Sequence, residues 1–245
     1  MRDKNSMATP GIPQNEESLE ETSPSFLDRP FFPRSRVSCE VGLYLLLIVV
    51  AALMRFWELD LRAIHYDESL HALYSWKLFA GEGYQHSAMM HGPFQFHATA
   101  LVYFLFGDSN FTARLLPALF GTILVGLPFF FRRYLGRKGS LVAALMLTFS
   151  PSLLYFSRFA RNDIYILVWV FILLICLWRY IGEGKARYLY LSSAALSLGF
   201  CTKEVTFITV FILGSFLLIM TAREWASCIR NKFDFSALSR PAVLL

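Results

Sequence analysis

The sequence predicts an all-α integral membrane fold, a polytopic bundle of about six transmembrane helices with a long outer loop that carries interfacial helices. Three observations carry this. Hydrophobic residues make up 56% of the 245-residue chain and aromatic residues 16%, and the mean hydropathy is +0.47, too apolar for an ordinary water-soluble domain. Apolar runs of near-spanning length recur from Val41 onward. The connections between them alternate between basic loops and loops that carry acids and histidines, the asymmetry expected of an oriented membrane protein.

The elements follow in order. Residues 1–39 contain "NEESLEETSPSF" and "RPFFPRSR", a composition that buries too little apolar surface to offset its ordering entropy, and they read as a disordered cytoplasmic tail. Arg29, Arg34 and Arg36 mark its cytoplasmic side. The first span, Val41 to Trp57, starts too far into the chain to be a cleaved secretory signal. It opens a transmembrane domain expected over 40–222, with an outer loop at 58–112. Within that loop "FQFHATALVYFLF", residues 94–106, is short against the roughly 20 residues a crossing needs and suits a re-entrant or interfacial segment. If it does not cross, "RPFFPRSR", "RRYLGRK" and "RYIGEGKAR" all share the cytoplasmic face, as the positive-inside bias requires.

Five further spans follow, at "ARLLPALFGTILVGLPFFF", "SLVAALMLTFSPSLLYF", "IYILVWVFILLICLW", "YLYLSSAALSLGFC" and "VTFITVFILGSFLLIMTA". Residues 223–245 read as a cytoplasmic segment running into a further apolar stretch, "SRPAVLL", so the chain is expected to be part of a longer protein. Cys39, Cys176, Cys201 and Cys228 show no paired spacing and indicate neither a disulfide frame nor a zinc knuckle. The net charge of +5 is accounted for by loop ends and calls for no nucleic-acid partner.

The polar chemistry collects on the outer side. All five histidines, His65, His71, His86, His91 and His97, fall in the one outer loop. In "HYDESLHALYSW" the apolar residues Leu70, Leu73, Tyr74 and Leu78 recur near helical spacing, so this stretch is expected to lie as an amphipathic helix on the membrane surface. Asp67 and His71 then stand one turn apart, with Glu68 turned about 100° away. Asp67 suits a general base, a ligand of a divalent metal, or simply a helix cap. In "SRFARNDIY", between two spans, Arg158 and Arg161 are either snorkelling anchors with Asp163 as counter-ion or a phosphate-binding pair. Lys203 and Glu204 are either an ion pair or an edge of the same site. Asn110 heads an N-F-T glycosylation tripeptide.

In this order, the "DE" pair after the first span, "MMHGPF", "LFG…ARLLPALFG", "FSPSLLYFSRFARND" and "CTKE" resemble the polyprenyl-phosphate-sugar-dependent glycosyltransferases of the GT-C superfamily. That group includes the protein O-mannosyltransferases and the lipid A aminoarabinose transferases, and the likeness is greatest to the flippase-activity-associated proteins of archaeal-type N-glycosylation. The resemblance implies an inverting hexosyltransferase of the plasma membrane, with a cytoplasmic N-terminus and an extracytoplasmic active face. It implies a polyprenyl-phosphate-linked sugar donor, membrane lipid around it, and a protein, lipid or glycan acceptor. Carried over residue by residue, it makes Asp67 the catalytic base, Glu68 its neighbour and Asp163 a second acid. The aminoarabinose transferases place a phosphate-binding lysine where this chain has Gly92, so His91, Arg158 or Arg161 take that contact here. Metal use varies across the superfamily, and Asp67, His71 and Asp163 are the candidate ligands. Two other readings use the same groups: a flippase component for a lipid-linked sugar, and a non-catalytic subunit of glycan assembly.

Overall fold

The computed structural model describes residues 25–31, 38–83 and 90–230, and among these every regular element is helical. The α-helices are α1 (Cys39–Phe56), α2 (Tyr66–Ala80), α3 (Phe94–Phe106), α4 (Asn110–Gly126), α5 (Pro128–Phe149), α6 (Pro151–Ser157), α7 (Asp163–Glu183), α8 (Ala186–Phe200) and α9 (Val205–Arg230).

Four helical stretches are long and apolar enough to cross a membrane: Cys39–Phe56, Asn110–Phe149, Asp163–Glu183 and Val205–Ala226. The second makes two passes. Leu127 keeps helical angles, so α4 runs straight into the start of α5, but Gly136 at φ +71°, ψ 163° breaks α5, a conformation open essentially to glycine alone. Before the break the chain runs antiparallel to α1, because Gly121 sits by Arg55, Gly126 by Ile48 and Phe129 by Tyr44. After it the chain runs parallel to α1, with Arg137 bonded to Glu40 and the Leu147 carbonyl to Arg55. Helix α8, at 15 residues, returns along α7 from the Glu183–Tyr188 contact to the Trp169–Thr202 contact. Among the described residues six passes, the number expected, therefore run along the bundle, within and beside the four stretches long enough to cross.

Two ends result. One carries Arg132, Arg133, Arg137, Lys185 and Arg187, gathered by Glu40 and Glu183. The other carries α2, the starts of α3, α4 and α7, and the turn 201–204. Helix α3 does not cross: Arg114 near the start of α4 donates to the carbonyls of Leu59 and Arg62, just beyond α1, so both chain ends of the α2–α3 hairpin lie at one end of the bundle. The core behind it is aromatic, with Phe94, Phe120, Tyr165 and Trp169 meeting edge to face at 4.9–6.1 Å between ring centroids.

Of the segment expected to be a disordered tail, residues 25–31 pack against the basic end: Leu27 is buried, Pro30 bridges Ser38, and Asp28 pairs with Arg137 at 2.6 Å. Residues 1–24 and 32–37 lie outside the described residues. At the other terminus α9 continues past 222 to Arg230, and residues 231–245 lie outside the described residues.

Candidate functional site

The site is built from the turn of α2, the 158–163 connection and the 201–204 turn. Helix α2 starts in a capping box: His65 Nδ1 accepts from the Asp67 N–H at 3.2 Å, and the Glu68 carboxylate accepts from the His65 N–H at 3.0 Å. His65 Nδ1 also lies 3.9 Å from the Asp67 carboxylate.

The face that α2 buries is polar. Glu68, His71 and Ser75, spaced i, i+3, i+7, are inside, whereas Leu70 and Leu73 are exposed. His71 stands one turn from Asp67, between it and Glu68 around the helix, and its ring lies 5.2 Å from that of Phe96 where α2 packs on α3. The Glu68 side chain is fully buried and accepts five hydrogen bonds. Arg114 grips it in a bidentate fork, both contacts 2.8 Å. Arg62 and the Ala160 N–H complete the set at 3.1 and 3.0 Å. Burial would raise this carboxyl, but the Arg114 bonds and the two backbone donors outweigh it and hold it down at about 2. Glu68 thus ties α2, α4 and the 158–163 connection together.

Asp67 points the other way, with 44% of its side chain exposed and Arg161 Nη1 at 3.2 Å. Arg161 Nε also reaches Asp163, at 3.9 Å, and Asp163 receives Lys203 Nζ at 2.5 Å. Asp67, Arg161, Asp163 and Lys203 therefore form one chain of alternating charge. Asp163 also lines a cavity of about 280 Å³ between α6, α7 and α9, otherwise walled by apolar side chains including Leu153, Phe156, Leu167 and Val205.

Lys203 is held in place by a clip. The Gly92 N–H donates to the Thr202 carbonyl at 3.1 Å and the Phe94 N–H to the Cys201 carbonyl at 2.8 Å. A Cβ on Gly92 would sit 2.1 Å from the Cys201 oxygen, so only glycine allows this approach. His91, at φ +65°, pairs through Nδ1 with Glu204 at 2.8 Å. Lys203 and Glu204 hence do not pair with each other. His86 lies outside the described residues.

The structure brings Asp67, Asp163 and Arg161 together and adds Lys203, whose role the sequence left undecided. It separates Arg158, whose guanidinium caps α1 by donating to the carbonyls of Met54 and Glu58, both at 3.0 Å. It also adds Arg114, which sequence reasoning missed. An arginine inside the apolar run "ARLLPALF" is costly without a partner, and that signal pointed to a buried acid. His71 is pushed down to about 4, first by burial and then by the neighbouring Arg161 and His91 charges, against smaller raising effects of Asp67 and Asp163. Among the described residues no three His, Cys, Asp or Glu side chains converge as a metal-binding group.

Comparison with known proteins gives a consistent result. The family described as dolichyl-phosphate-mannose-protein mannosyltransferase matches residues 90–238. The crystal structure of ArnT from Cupriavidus metallidurans bound to undecaprenyl phosphate superposes with a TM-score of 0.63 at 22% sequence identity, covering 83% of this chain and 40% of that one. The chain thus spans less than half the length of that protein, and the likeness at this identity is one of fold. No curated protein matches the chain.

Proposed function

Because the chain belongs to the dolichyl-phosphate-mannose-protein mannosyltransferase family, we propose that it carries the catalytic groups of a membrane glycosyltransferase that moves a hexose-type sugar from a polyprenyl-phosphate donor to an acceptor hydroxyl. One observation carries this: the Asp67–Arg161–Asp163–Lys203 chain of charges reaches an apolar cavity through Asp163, which lines it. The cavity suits an isoprenoid tail, the two cations suit the phosphate, and the solvent-facing acid suits the acceptor. That the solved structure of similar fold holds undecaprenyl phosphate supports the donor class.

In the reaction the acceptor O–H gives its proton to Asp67 while its oxygen bonds to the anomeric carbon. The bond from that carbon to the phosphate oxygen breaks, its electron pair leaves with the phosphate, and Arg161 and Lys203 meet the charge that develops. Attack opposite the leaving phosphate inverts the anomeric centre. Glu68, with its oxygens engaged, is a positioning residue that holds the Asp67 turn against the 158–163 connection. No step is routed through a metal. The basic end faces the cytoplasm under the positive-inside bias, which puts the site on the extracytoplasmic face.

The test is release of free polyprenyl phosphate by the purified protein in liposomes supplied with polyprenyl-phosphate sugar and membrane extract as acceptor. Asp67→Asn is expected to lower release by a factor of about 10²–10⁴, the range of a lost general base. Lys203→Ala is expected to raise the donor KM more than it lowers kcat. Undiminished release from Asp67→Asn removes that residue from the role, and transbilayer movement of donor without release would favour the flippase reading.

A further inference from the structure

Helix α6 has two lined faces. Leu153 and Phe156 line the cavity that ends at Asp163. Pro151, Leu154, Tyr155 and, one step past the helix, Arg158 line a second cavity of about 320 Å³, closed on the far side by Leu59 and Arg62. At 100° per residue these sets fall on opposite sides of the helix, so one seven-residue helix is the partition between the two cavities.

The second cavity differs in charge. No carboxylate lines it. Its Arg114 is fully spent on Glu68 and three carbonyl oxygens. Arg158 is held only by the carbonyls of Met54 and Glu58 and has no carboxylate partner among the described residues. Arg62 gives one contact to Glu68, stacks over the Tyr155 and Phe159 rings at 5.4 and 5.2 Å, and keeps 47% of its side chain exposed. Two guanidinium groups with donors to spare thus rim an apolar floor where α1 leaves the bilayer.

We propose that this cavity is a binding site for the headgroup of an anionic membrane glycerophospholipid, separate from the donor cavity. A phosphodiester offers the oxygens that a guanidinium fork engages, and Leu59, Leu154 and Tyr155 cover its glycerol and first acyl carbons. A phosphate seated there is shielded by α6 from Asp163, so the occupant is resident and does not react.

The test uses neighbouring substitutions of equal chemistry on opposite faces. The purified full chain in a neutral detergent is titrated with phosphatidylglycerol, phosphatidylcholine, inorganic phosphate and polyprenyl phosphate, following the thermal midpoint. Leu154→Trp fills the second cavity and is expected to weaken phosphatidylglycerol binding by about ten-fold or more, while Leu153→Trp leaves it unchanged and weakens polyprenyl phosphate. Arg158→Gln is expected to abolish the preference for phosphatidylglycerol over phosphatidylcholine. Equal phosphatidylglycerol binding in wild type and Leu154→Trp, or equal loss in both tryptophan variants, overturns the proposal. Saturation by inorganic phosphate at the lipid's concentration overturns the lipid as occupant. Failure of polyprenyl phosphate to bind at all would count against the donor cavity alone.

Discussion

Glu68 and Arg114 are each almost fully buried and each is the other's counter-charge. Removing one partner of such a pair strands the other charge, at a cost of about 3–5 kcal/mol. Glu68→Ala and Arg114→Ala should each lower unfolding stability by that amount in detergent, and the double variant should cost much less than their sum. The two buried ionisable groups of α2 also set acid limits. Because the Glu68 carboxyl is depressed to about 2 from 4.5, its stabilisation is complete above pH 4.5 and is lost as pH falls through 2. His71, depressed to about 4 from 6.5, contributes above pH 6.5 and loses that contribution as pH falls through 4. His71→Phe, which keeps a ring against Phe96, should flatten the decline of the thermal midpoint between pH 6.5 and 4. The ionisable residues beside the spans were legible in the sequence, since charge at that depth is conspicuous. Their partners were not: Glu68 meets Arg114 across 46 positions and Asp163 meets Lys203 across 40, and no local pattern encodes such pairings.

At the scale of elements, α2 shows that a periodic pattern places a helix without naming the row that faces the protein. Leu70, Leu73, Tyr74 and Leu78 predict an amphipathic helix, and a helix forms over Tyr66–Ala80. Its inner row is Glu68, His71 and Ser75: Glu68 is met by arginines and two backbone amides, Ser75 donates to the His71 carbonyl, and the His71 ring packs on Phe96, while Leu70 and Leu73 are exposed. Hydrophobic pattern alone cannot separate a face turned to lipid from one turned to protein. The clip between 91–94 and 201–204 was equally invisible, being made of backbone groups. Gly92→Ala should cost about 1–3 kcal/mol as an overpacked contact and, by displacing Lys203, should weaken donor binding, read as a raised KM in the release assay.

For the molecule as a whole, pass number and the division of charge between the ends could be read from composition because both are sums over many residues. What length could not decide was the status of two short helices. Residues 94–106 and 186–200 differ little in length, yet the first folds back on α2 while the second runs along α7 from one end of the bundle to the other. Orientation is open to direct measurement. Cysteines introduced at Asp60 and Arg133, both exposed, should react with an impermeant maleimide from opposite sides of intact cells, Asp60→Cys from outside and Arg133→Cys only after permeabilisation. Labelling of both from one side would refute the assigned topology.

The alternating chain from Asp67 to Lys203 contains two acids and two bases and balances itself without ligand. A phosphate that draws Arg161 away therefore leaves Asp67 without its cation and frees its carboxylate to meet the acceptor hydroxyl. Under the proposed function the two substrates enter in a compulsory sequence, donor before acceptor.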